Sequence, residues 1–142
     1  MVRIHPGVPL EFLKNKLINF MQVRHKRHAR GVRKDWGSEI KIIDNTEENF
    51  SGKILNLNQN QHTPLHYHAK KSKTIYVLSG ILTIEVIEPE TGQSINYTIE
   101  TEECFDIDRH ITHALHARDG NVVAIEMSSL HSDEDVYRVI SK

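Results

Sequence analysis

The chain has 142 residues, enough for one domain with its own hydrophobic core. Its 38% hydrophobic and 26% charged residues exclude a disordered or low-complexity chain. A single cysteine, Cys104, excludes an intramolecular disulfide. The opening "MVRIHPGVPLEF" holds no apolar run of signal-peptide or membrane-span length, so a cytoplasmic protein with no membrane partner is expected.

The net charge of −1 conceals two opposed segments. Residues 1–34 carry nine Lys/Arg against one acid, and residues 35–142 carry nine Lys/Arg against eighteen acids. Residues 1–8 read as extended. Over 9–29, Phe12, Leu13, Leu17, Phe20 and Met21 recur at spacings of three and four, which predicts a helix with one apolar stripe, stopped at Gly31. The run "RHKRHARGVRK" (24–34) adds six cations. No aromatics interleave with them as a nucleic-acid platform requires, so no nucleic-acid partner is expected. The cations instead suit a helix C-terminus facing the acidic remainder. Residues 1–34 are therefore read as a basic N-terminal helical arm, and residues 35–142 as a barrel.

From residue 39 short β-rich runs alternate with turn signals. Strands are predicted at 39–44, 53–58, 65–68, 73–79, 81–88, 94–100, 104–108, 112–117 and 121–128. Strands this short and this regularly spaced point to an all-β sandwich or barrel. At 132–138, "SDEDVYR" fits either a short helix capped by Ser132 or a last extended segment.

The chemistry concentrates in "HTPLHYHAKKSKTIYVLSG" (62–80). His66 and His68 are two apart on a predicted strand, so both imidazoles face one way, either as polar lining or surface of the sheet or as two nitrogens offered to a single metal ion. His113, on a later strand, brings a third if the sheet closes. His62 shares their parity but is separated by Pro64, which leaves it an auxiliary ligand or a rim residue. Tyr67 and His116 fall on the opposite strand faces, and His110 falls in a turn. Cys104 opens a strand and reads as a small core residue. Ile75, Val77, Leu82, Ile84 and Val86 read as barrel core.

This run resembles the first motif of the cupin superfamily, G(X)5HXH(X)3–4E(X)6G, with His66 and His68 as the paired histidines and Gly80 as the closing glycine. "ECFDIDRHITH" (103–113) is similar in outline to the second motif, with His113 as its histidine. "DWGSEIKII" (35–43), "SGKILNLN" (51–58) and "VAIEMSSLHSDEDVYRV" (123–139) resemble segments of cupins related to type II mannose-6-phosphate isomerase. The resemblance implies a single-domain jelly-roll barrel and a homodimer. It also implies a divalent transition metal (Fe, Mn, Zn or Ni) on His66, His68 and His113, and a small-molecule ligand of carbohydrate type. Arg138 matches an arginine that lies near the sugar-phosphate site in those relatives, and a salt bridge to the acids at 133–135 is the rival reading.

The departures are specific. The family's metal-binding glutamate is Lys73 here, and glycine positions of the motifs fall at Asn60, Glu103 and His110, with Asp108 at the proline position. Lys73 leaves three outcomes open. The histidines bind metal and the lysine turns away; or its ammonium replaces the metal; or it is buried with a lowered pKa and acts as a base or nucleophile. The functional expectation is a metal-binding cupin that acts on or binds a sugar or sugar phosphate. A three-histidine iron dioxygenase and a metal-free, non-catalytic carbohydrate- or partner-binding module are the alternatives.

Overall fold

Alternation of apolar and polar side chains builds two antiparallel sheets in the computed structural model, which describes residues 29–45, 49–129 and 131–140 together with Gly7, Pro9, Glu11 and His25. The strands are β1 (Arg30–Lys34), β2 (Gly37–Asn45), β3 (Phe50–Leu57), β4 (His66–Tyr67), β5 (Lys73–Ser79), β6 (Leu82–Ile87), β7 (Ser94–Ile99), β8 (Cys104–Ile107), β9 (His113–His116), β10 (Val122–Ser129) and β11 (Tyr137–Arg138). One sheet has the order β1-β2-β3-β10-β5-β8, the other β11-β4-β9-β6-β7. The jelly-roll expectation holds, and every predicted strand is present within a few residues of its expected bounds.

The helix expected over 9–29 lies almost wholly outside the described residues. Arg30–Lys34, grouped by sequence with that arm, is instead strand β1, paired with β2 from Arg30↔Lys41 to Lys34↔Gly37. A two-residue turn, Asp35-Trp36, closes this hairpin and delivers Trp36 into the core, where it is buried. At the C-terminal end both readings of "SDEDVYR" are realised in series. Ser132 caps a single 3-10 turn at Asp133–Asp135, and Tyr137–Arg138 then pairs with β4.

The sandwich is divided along its strands. At one end Leu57, Ile75, Val77, Leu82, Ile84, Leu115, Val122 and Ala124 fill the space between the sheets. At the other end the same inward parity carries charge: Lys41, Lys53 and Glu126 stand in register across β2, β3 and β10, beside Ile75 of β5. A fully apolar sandwich would close there. The charged row holds it open as a pocket. Cys104 is corrected by the structure: its side chain lies on the exposed edge strand β8 and not in the core.

Turn positions carry a second departure from the motif. Asn60 (φ 63°), Glu102 (φ 71°) and His110 (φ 63°) all adopt the left-handed backbone that favours glycine. The motif position expected at Glu103 therefore falls one residue earlier, where the Glu102 N–H donates to the Val77 carbonyl at 2.9 Å. Gly80 keeps its glycine of necessity, because a Cβ there would lie 2.4 Å from the Asn121 carbonyl oxygen at φ +86°. Because Glu102 is exposed and carries a left-handed backbone, Glu102→Gly is expected to stabilise the protein by about 0.5–1 kcal/mol. Urea denaturation measures this; an unchanged or lower midpoint would show that no strain is held there.

Candidate functional site

The pairing of β4 with β9 places His66 directly opposite His113, and His68 follows β4 with its ring turned to the same side. The ring centroids of His66 and His113 are 4.5 Å apart, those of His66 and His68 5.1 Å, and those of His68 and His113 6.3 Å. The three histidines predicted from the sequence therefore converge.

Their tautomers are set by the backbone. His66 Nδ1 donates to the Pro64 carbonyl at 2.7 Å, His68 Nδ1 to the Asp135 carbonyl at 2.8 Å, and His113 Nδ1 to the Ile111 carbonyl at 2.8 Å. A carbonyl can only accept, so each proton sits on Nδ1 and each Nε2 keeps its lone pair. Metal-binding histidines are oriented by this kind of bond. His113 Nε2 is buried with no hydrogen-bond partner, an arrangement that costs energy unless something binds there.

Burial, and then the charge of Lys73, push His66 and His68 down to about 4 and His113 to about 2. All three are neutral at physiological pH, the state a metal ligand needs.

Lys73 reaches the site from the facing sheet. Its Nζ donates to Glu126 Oε2 at 3.3 Å and makes no hydrogen bond to any of the three imidazoles. Lys71 Nζ donates to the other carboxylate oxygen, Glu126 Oε1, and contacts His131 Nδ1 at 3.2 Å. All three groups are buried. Burial alone would raise the Glu126 carboxyl, but Lys73, Lys71 and Lys53 hold it well below the carboxylate range. Burial brings Lys71 down to about 8 against the pull of Glu126.

The loop between His68 and Lys73 is pinned by Asp135. Its carboxylate accepts from the N–H groups of Ala69 at 3.0 Å, Lys70 at 3.1 Å and Lys71 at 3.1 Å. One residue thus holds His68 by its carbonyl and the lysine loop by its side chain.

The remaining sequence candidates lie around this centre. A cavity of ≈ 550 Å³ is lined by Trp36, Glu39, Lys53, His62, His66, His68, Lys71, Lys73, Glu126 and Arg138, among others. Arg138 pairs with His66 across β11–β4 and borders the cavity, while Asp133 and Asp135 are engaged by His131 and by the 69–71 loop. His62 lines the cavity, yet its ring stacks on His116 at 4.9 Å. His116 faces away from the site and donates to Glu85 at 2.8 Å, and Tyr67 stacks on Tyr137 at 5.0 Å, as the strand parity predicted.

Glu126, Lys71, Lys53 and Asp135 were not singled out from the sequence. The available signal was parity: Val122, Ala124 and Glu126 alternate on β10, so a carboxylate continues an otherwise apolar inward row.

Three neutral imidazoles with free Nε2 atoms suit a divalent transition metal, and the orphaned His113 Nε2 is the observation that carries this fit. Among the described residues, no group of three or more His, Cys, Asp or Glu side chains stands in a geometry that could hold a metal ion as it is. The set is widest between His68 and His113.

A two-sheet jelly roll with His66 on β4, His68 just after it and His113 on β9 defines a cupin. The sequence profile of the D-lyxose isomerase family matches residues 36–132, well over half of the chain, and the chain belongs to that family. The matched span contains the three histidines, Lys73 and Glu126, and ends before Asp135 and Arg138. No curated protein sequence matches the chain.

Among solved structures, the capsular polysaccharide assembling protein CapF of Staphylococcus aureus superposes with TM-score 0.70 at 20% identity, over 80% of this chain and 34% of that one. Oxalate decarboxylase of Lactobacillus farciminis gives 0.69 at 15% identity, over 87% and 38%. The Bacillus subtilis enzyme gives 0.70 at 11% identity, over 97% and 40%. The chain thus spans between a third and two-fifths of the length of these structures. At such identities the likeness concerns the fold.

Two expectations follow from this geometry. In the unfolded chain the imidazoles take up protons near pH 6.5, whereas in the folded chain His66 and His68 do so only near 4 and His113 near 2. Between these values the unfolded state binds more protons, so stability falls as pH drops from about 6.5 toward 4. Urea midpoints across that range are expected to decline; a flat profile would show that the trio charges without cost. Separately, Asp135→Asn removes the charge that holds three amides. It is expected to speed hydrogen exchange at Ala69, Lys70 and Lys71 roughly tenfold or more; unchanged protection would show that the loop is held by other contacts.

Proposed function

We propose that this chain is a metal-binding cupin whose pocket takes a sugar and moves its carbonyl between adjacent carbons, with His66, His68 and His113 as the metal ligands. The observation that carries the reading is the trio of carbonyl-tethered imidazoles with free Nε2 atoms, placed beside a polar cavity in a chain of a sugar isomerase family. A divalent metal there, when bound, would polarise the sugar's carbonyl and hydroxyl oxygens.

The chain's own residues supply the rest of the site. The ammonium groups of Lys71 and Lys73 and the guanidinium of Arg138 are donors for sugar hydroxyls or for a phosphate. Glu39, held between Lys34 at 3.3 Å and Lys53 at 3.1 Å, stays ionised as an acceptor, with burial opposed by those two cations. Trp36 and Leu115 give the cavity its apolar wall. Because Lys71 sits at about 8, it can pass a proton in either direction near neutral pH.

One observation favours a second reading, binding without turnover: a lysine occupies the position from which the cupin motif supplies a carboxylate. Both readings are tested by the metal content of protein purified without a histidine tag, followed by assays for ketose formation from D-lyxose and related aldoses. Metal near one equivalent is expected, falling at least tenfold in His66→Ala and His113→Ala. Metal-free protein whose content those substitutions leave unchanged would sink the metal assignment. Metal with sugar binding but no ketose would select the second reading.

A further inference from the structure

Lys73 and Lys71 place two ammonium groups beside a site meant for a cation, and Glu126 receives both. Lys73 Nζ lies 3.3 Å from Glu126 Oε2, and Lys71 Nζ donates to Glu126 Oε1. The carboxylate comes from β10, where its Cα neighbours are Lys53 of β3 and Ile75 of β5, so it projects inward between the lysines. Ammonium groups are strong donors and neutral imidazole Nε2 atoms are good acceptors. Without an anion to take them, the natural partners of these amines are the same Nε2 atoms that a metal needs. Yet neither lysine donates to His66, His68 or His113, and His113 Nε2 stays unpartnered.

We propose that Glu126 is a positioning residue that keeps the histidine trio open to a metal by drawing Lys73 and Lys71 onto itself. It acts through the lysines and is not itself a ligand, since both its oxygens are already occupied by ammonium donors. This inference rests on the metal reading above. It explains how a chain with lysine in place of the motif's glutamate keeps three free imidazole nitrogens: the negative charge absent from β5 is supplied by β10, one strand over, and is spent on the lysines.

The test is direct titration of Mn2+ and Co2+ by calorimetry, with the visible Co2+ spectrum as a second readout, on the full chain and on Glu126→Gln, Lys73→Met and the double variant. Glu126→Gln is expected to weaken both ions by about tenfold or more. Lys73→Met in that background is expected to recover most of the loss, and its gain there should exceed its gain in the otherwise unchanged chain. That non-additivity reads the position of the amine, which general destabilisation would not reproduce.

Glu126→Gln binding as tightly as the unchanged chain would overturn the inference and leave the metal reading intact. A loss that Lys73→Met does not recover, or two purely additive effects, would overturn it in favour of a ligand or packing role for Glu126. If Glu126→Gln does not fold, the double variant decides: affinity near that of the unchanged chain supports the inference, and affinity at least tenfold weaker overturns it. Failure of both the unchanged chain and Lys73→Met to bind either ion would remove the metal reading itself.

Discussion

A carboxylate buried between two ammonium groups is the constraint around which the open end of this sandwich is organised. Glu126 lies inside the sheet pair with Lys71 and Lys73 on its two oxygens and Lys53 beside it on the next strand. None of these charges is at home in an apolar interior: each alone would incur a desolvation penalty large enough to force neutrality or unfolding. Together they offset one another, and in doing so they prevent the two sheets from packing shut. The cavity exists because the inward row of β2, β3 and β10 turns from apolar to ionic at this point.

The facing sheet answers this ionic wall with neutral donors. His66 and His113 meet through the β4–β9 pairing, and His68 joins them from the loop. Their Nδ1 protons are used up on backbone carbonyls, so their chemistry points inward through Nε2. The Lys73 charge reinforces their neutrality by opposing protonation. The two halves of the site therefore support each other: the lysines add to the burial that keeps the imidazoles unprotonated, and Glu126 keeps the lysines off the imidazoles.

Asp135 ties this arrangement to the end of the described chain. Its carbonyl orients His68, and its carboxylate gathers the amides that lead to Lys71 and Lys73. The 3-10 turn at Asp133–Asp135 is thus part of the site's construction and more than a terminal flourish of the sheet. It lies just past the span that the family profile matches.

Much of this was legible in the residues alone. Strand positions followed from period-two alternation and turn signals, because the pleat itself has that period. His66 and His68 shared a face for the same reason, and His116 and Tyr67 were excluded from it. The anomaly at Lys73 was also visible, as a cation in a motif position for an anion. What no local pattern contained was the destination of its amine. That depended on the register of β10 against β5, which sets Glu126 opposite Ile75 and within reach of Lys73 although the two are distant in sequence. Strand β1 and the role of Asp135 were hidden likewise, since Arg30–Lys34 has no apolar alternation to announce a strand and takes its form from pairing with β2. Spacings of a few residues were enough for the strand pattern and the histidine pair, and the resemblance to the cupin motif implied the jelly roll and marked the misplaced charge. Which anion meets that charge is settled in three dimensions, because ion pairs across a sheet are chosen by register and not by proximity along the chain.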